Sequence, residues 1–225
     1  MNDQTFKQWG GLAVIIVGVC SLLYGLLYVA LIVLPGAKPP TEALTSFGTQ
    51  CTNLLLAASG IFGIVASVAI FERLRLVNEG WARAALWLGV IGAVLGGLHG
   101  WYDFVRNPIL AQLYADPATA SVSTVVGSLP SSIDPRGLGT FGLTGLSILI
   151  ISQLIYQAES LPKRLGAVAQ ISSALLGLIF LGTVLWADGT GPAFARYLFL
   201  IPGPLQAIVV GPLYYIWFGS LLRRN

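Results

Sequence analysis

The sequence predicts an all-α fold: a polytopic membrane helix bundle of six transmembrane helices, forming one domain over residues 1–225. Three observations carry this reading. Charged residues are 9% of the chain and hydrophobic residues 56%, where a soluble domain carries roughly 25% charge. Mean hydropathy is +0.81. Six apolar runs each approach the length of about 20 residues that crosses a bilayer. A soluble domain of this size has no interior for so much apolar surface, so lipid is the expected solvent.

The first run, Gly11 to Leu34, is too long for a signal-peptide core and no small-residue cleavage pattern follows it, so it is expected to stay as a helix. The second runs from Thr52 to Phe71, the third from Ala84 to Phe104 and the fourth from Leu138 to Ile155. The fifth covers Leu165 to Trp186 and the sixth Tyr197 to Leu222. Lys7, Arg73, Arg75, Arg83, Lys163, Arg164, Arg223 and Arg224 fall on one side of these runs, and Lys38, Arg106, Arg136 and Arg196 on the other. Cytoplasmic loops hold the excess of Lys and Arg, so both termini are expected in the cytoplasm and the bundle in the cell inner membrane. Trp9, Trp81 and Trp217 then mark the inner interface, and Trp101 and Trp186 the outer one.

Several function classes are unsupported. Net charge is +3 with no basic stripe, so no nucleic acid is expected as partner. One histidine and two separated cysteines, Cys20 and Cys51, make no metal site, and no cofactor is called for. Gly137, Gly139 and Gly142 match the letters of a dinucleotide fingerprint, with Glu159 near the acidic position. A membrane helix would carry Glu159 about 30 Å away, which rejects the match.

Pro35-Gly36 and Pro39-Pro40 stop the first helix sharply. The outer loop from Arg106 to Arg136 is the long one. Its apolar content predicts a lid from Pro108 to Leu129, with a short interfacial helix around Pro108 to Tyr114. A weak internal echo pairs Gly60-Ile-Phe-Gly63 and Trp101-Tyr-Asp103 with Gly142-Leu-Thr-Gly145 and Trp186-Ala-Asp188. Small residues form seams: Gly11, Gly18 and Gly25 are spaced by seven, whereas Gly92, Gly96 and Gly100, like Ser59, Gly63 and Ser67, are spaced by four. Such seams serve helix packing, within the chain or in an oligomer.

His99, Asp103 and Arg106 share one face at the end of the third helix, because residues four and three apart meet there. Ionisable residues at this depth are functional candidates. Asp103 is placed to bridge the imidazole and the guanidinium, either in a proton-handling site or as a salt-bridged helix end. His99, Asp103 and Asp188 are the candidate acid–base residues. Arg106, Asn53, Trp101, Tyr102, Trp186 and Gln206 are the candidate ligand contacts, in a pocket on the outer face walled by aromatics that also include Phe104 and Tyr197. Pro202, Gly203, Pro204 and Gly211-Pro212 break the sixth helix, and broken helices are tolerated against a polar cavity. Gln153 and Gln170 are expected to bond each other.

Gly137-Leu138-Gly139, the run to Tyr156, the turn Leu161-Pro162-Lys163-Arg164-Leu165-Gly166 and the tryptophan of the last helix, Trp217, resemble a family of small bacterial six-helix integral membrane proteins of unknown function. The resemblance covers about Pro135 to Arg224 and implies a fold without implying an activity. Three readings follow from the residues. One is a pocket protein for a lipid or small hydrophobic ligand, another a membrane-embedded acid–base enzyme such as an isomerase or isoprenoid cyclase. The third is a helical subunit of a larger complex.

The topology is checked by reporter fusions. A fusion after Asn225 should report cytoplasm and one within residues 118–124 the outside; a cytoplasmic signal from the second would overturn the orientation.

Overall fold

The computed structural model describes residues 3–34, 39–122, 133–186 and 191–224. The described residues contain helices and no strand, and six of the helices are long and apolar enough to cross a membrane. The first span is Asp3–Leu27, continued by a wide π-helical turn at Tyr28–Val33. After the short helix Pro40–Thr45 come the second span, Phe47–Leu74, and the third, Glu79–Ala115. Leu138–Gln157 is the fourth and Lys163–Leu185 the fifth. The sixth runs over 193–224 in pieces: Ala193–Leu200, Pro202–Leu205, a π-helical turn Gln206–Val210, and Gly211–Arg224.

Helices overrun the apolar runs because polar residues cap them. Ser46 Oγ accepts from the Thr49 N–H, and Asn78 Oδ1 from the Trp81 N–H, so the second and third spans begin before their apolar stretches. Lys163 donates to the carbonyls of Tyr156 and Ala158, which closes the end of the fourth span with a cation. The third span is the largest departure from expectation. Its 37 residues run through Pro108 to Ala115, giving a rod of roughly 55 Å against a hydrocarbon layer of about 30 Å. Residues 108–115 therefore extend this helix instead of forming a separate interfacial one, and the helix packs against Pro40–Thr45. Val125, Val126 and Leu129 of the expected lid lie outside the described residues.

Each span packs on its neighbours in chain order, and the sixth returns to the first. The six form a closed ring. Their outward faces carry large apolar side chains: Ile61, Trp87, Leu146, Ile171 and Val209 are each more than half exposed. Many glycines of the spans meet a neighbouring span, and Ser21, Ser59, Ser67 and Ser147 face the interior. This reversal of the soluble pattern identifies lipid as the surrounding solvent, and the chain as a multi-pass membrane protein.

The seams explain how the ring closes. A Cβ on Gly11 would lie 2.8 Å from Gly219 O, one on Gly18 2.8 Å from Ile216 Cγ1, and one on Gly25 2.9 Å from Ala207 Cβ. The seven-residue glycine stripe of the first span therefore receives the sixth. Gly60 and Gly97 bring the second and third spans together backbone to backbone, since a Cβ on Gly60 would meet Gly97 Cα at 2.3 Å. Gly92 and Gly96 leave room for Thr144 and Thr140 of the fourth span.

Gly60→Ala should destabilise the detergent-solubilised protein by on the order of 2 kcal/mol or more, because backbone atoms cannot yield. Gly177→Ala, which meets nothing within 4 Å, should leave the melting temperature unchanged or raise it. Equal losses would show that the crossing is looser than described.

Candidate functional site

The ring encloses a cavity of about 910 Å³ to which all six spans contribute. It lies toward the face opposite the chain ends. On the terminal side Leu74, Leu154, Leu165, Tyr214 and Phe218 pack into a continuous apolar core. Val17, Ala66, Ile70, Ile148 and Leu176 belong to both the core and the cavity wall, so they form its floor. His99, Arg136, Tyr28 and Trp186 line the other end.

Serines and threonines knit the walls. Ser21 Oγ donates to Ala207 O (3.1 Å), joining the first and sixth spans. Ser147 Oγ donates to Ala85 O (2.7 Å), and Ser173 Oγ to Gly145 O (2.8 Å). Gln206 Nε2 donates to Ser172 Oγ (2.8 Å), tying the sixth span to the fifth. The π-helical turn places Gln206 there. Pro212 has no N–H for the carbonyl of Ile208, and the Gly211 N–H reaches back five residues to Gln206 O. Gln206 is 8% exposed, yet its Oε1 has no hydrogen-bond partner among the described residues. Such an orphaned acceptor costs about 1–3 kcal/mol, a cost that a donor in the cavity would offset.

The rim is built by Asp134, a residue the sequence reading passed over. Its carboxylate accepts from Gly139 N (2.7 Å), Thr140 N (3.1 Å) and Thr140 Oγ1 (2.5 Å). It thereby caps the fourth span and holds the Arg136-Gly137 turn, both residues of which have positive φ. The glycine-rich letters around Gly139 thus belong to a helix start already filled by the protein's own carboxylate. Asp134 O also meets His99 Nδ1 at 3.1 Å; a carbonyl only accepts, so Nδ1 is the donor. The other ring nitrogen faces Asp103 Oδ2 at 3.4 Å.

Half of the expected constellation is therefore present. His99 and Asp103 meet, but no Asp103–Arg106 ion pair forms. The Arg106 guanidinium lies over the Tyr102 ring, 5.7 Å from its centroid, because Tyr102 stands four residues before it on the helix. Of the candidate residues, His99, Trp186 and Gln206 line the cavity. Asp103, Arg106, Asn53, Tyr102, Phe104 and Tyr197 are not part of its wall, and Trp101 is exposed on the outer surface of the bundle. Asn53 sits where Gly100 crosses the second span, and its Nδ2 is buried without a partner among the described residues. The aromatic wall comes instead from Tyr24, Tyr28, Phe141, Phe199 and Tyr215. Asp188 lies outside the described residues. The two tryptophans of the internal echo take unlike positions, one on the surface and one in the wall. Gln153 and Gln170 do not bond each other; Gln170 Oε1 accepts from Tyr156 instead.

Comparison with protein-family models, with curated proteins and with solved structures finds no match.

Asp134→Ala should cost about 2 kcal/mol or more of stability in detergent, because it removes a buried cap with three hydrogen bonds. Asp103→Asn should cost about 1 kcal/mol or less, since its bridge to His99 is long and partly exposed. The opposite ranking of melting temperatures would return the rim to Asp103.

Proposed function

We propose that this is a non-enzymatic membrane protein that holds a lipid or small hydrophobic molecule in its central cavity. The carrying observation is the cavity itself. Its volume of about 910 Å³ falls in the 300–1,000 Å³ range of ligand sites. Its lining is mainly apolar and aromatic, with a few polar groups at defined positions, which is the composition such sites share. One end is sealed by the apolar core, so a ligand would enter from the opposite face or sideways from the bilayer. With the termini in the cytoplasm of an inner-membrane protein, as the basic residues favour, that face is the outer one.

The acid–base enzyme reading called for carboxylates converging on the cavity. Among its described lining residues there is none. The subunit reading called for a glycine seam facing lipid, whereas Gly11, Gly18 and Gly25 face the sixth span.

Protein extracted in mild detergent should carry a co-purified molecule visible by native mass spectrometry. Ser59→Phe, which pushes a ring into the cavity from a residue that makes none of the bonds described above, should lose it. A bare-chain mass from both proteins, under conditions gentle enough to retain annular lipid, would overturn the proposal.

A further inference from the structure

We infer that the cavity selects a neutral ligand whose polar group donates a hydrogen bond: an alcohol, in preference to an ether or ester of the same shape. This rests on the cavity reading above and names its ligand class. It follows from where the hydroxyl protons go. Ser67 Oγ donates to Gly63 O (2.8 Å), Ser147 Oγ to Ala85 O (2.7 Å), Thr183 Oγ1 to Ile179 O (2.8 Å) and Ser21 Oγ to Ala207 O (3.1 Å). A hydroxyl has one proton and two lone pairs. All four residues line the cavity, and with their protons held by backbone carbonyls they offer it lone pairs. Gln206 also lines the cavity; its amide nitrogen is held by Ser172, and its Oε1 is buried without a partner among the described residues. The tyrosines and remaining hydroxyls of the lining can donate or accept, so they accommodate such a ligand without opposing it.

Two of these acceptors converge. Ser67 Oγ and Ser147 Oγ lie 2.9 and 3.0 Å from the point that a Cβ on Gly89 would occupy. They come from the second and fourth spans and close in over the bare backbone of Gly89 in the third, so the two lone-pair acceptors stand side by side in the wall. Charge narrows the class further. His99 and Arg136 sit at the far rim, and no carboxylate lines the described wall. An ammonium donor would find no counter-charge there, and an uncompensated buried ion is strongly disfavoured. A neutral hydroxyl satisfies the acceptors without that penalty.

The experiment measures binding to the full-length protein by native mass spectrometry. Two shapes are used, 1-hexadecanol and cholesterol, each against its own methyl ether. At least one alcohol should bind about tenfold more tightly than its ether, the worth of a hydrogen bond lost at a buried site. In Ser67→Ala/Ser147→Ala the difference should shrink toward unity while the ether binds as before. Alcohol and ether binding equally to the unmodified protein would overturn the donor inference and leave the cavity reading standing. Binding of neither member of either pair would overturn both. Because the comparison is made first on the unmodified chain, a variant that fails to fold does not remove the test.

Discussion

The structure depends on helix backbones that approach until nothing but glycine fits between them. Lipid supplies no solvent-driven force between apolar helices, so association rests on dispersion and on polar contacts made at close range. Gly60 against Gly97, and the stripe Gly11, Gly18 and Gly25 against the sixth span, give that range. Pulling the walls tight at these lines also fixes where they are not tight. Spans that touch their ring neighbours so closely stand apart across the centre, and the central space is the cavity. The same glycines that hold the bundle therefore create its interior.

That interior is polarised along the membrane normal. Toward the chain ends it is filled by leucine, isoleucine and aromatic side chains. Toward the other face the filling gives way to serine, threonine and tyrosine around open volume. A helix that carries a serine in lipid satisfies its proton locally or across to a neighbour, and both solutions occur here. The Ser67 bond to Gly63 O stays within one helix, whereas the Ser147 bond to Ala85 O joins two. The structural bonds thus consume protons and leave lone pairs, which gives the cavity wall its chemical sign.

Span number and order were legible because a 20-residue apolar run is a strong signal with few competitors. Ends were less legible. Capping by Ser46 and Asn78 begins helices outside the apolar window, and nothing in an apolar count stops a helix at Pro108 once Leu110 and Ala111 are buried beside it. The seams were visible as spacings, but not their partners, since spacing records a face and not what lies against it. Among the candidate residues, His99, Trp186 and Gln206 stood out because each is rare or sits at a break, and they lie along the cavity. Asp103 was right in meeting His99, whereas Arg106 turned to Tyr102. Asp134 was missed although a signal existed: Asp-Pro-Arg-Gly immediately before a helix is a capping sequence. The lining serines carried no distinguishing mark, because a small polar residue in a membrane helix reads the same whether it faces a neighbour or a void.

Packing in chain order has a consequence for biosynthesis. Contacts between consecutive spans are local and can form as each hairpin leaves the insertion machinery. The contact between the first and sixth spans is the exception. It closes a loop of most of the chain, so it carries the largest closure entropy and forms late. Until then the glycine stripe of the first span faces lipid with its backbone bare, and the cavity lacks a wall. A nascent chain stalled before Ala193 would thus display an unsatisfied helix-binding groove, the kind of surface by which membrane quality control distinguishes it from the finished ring.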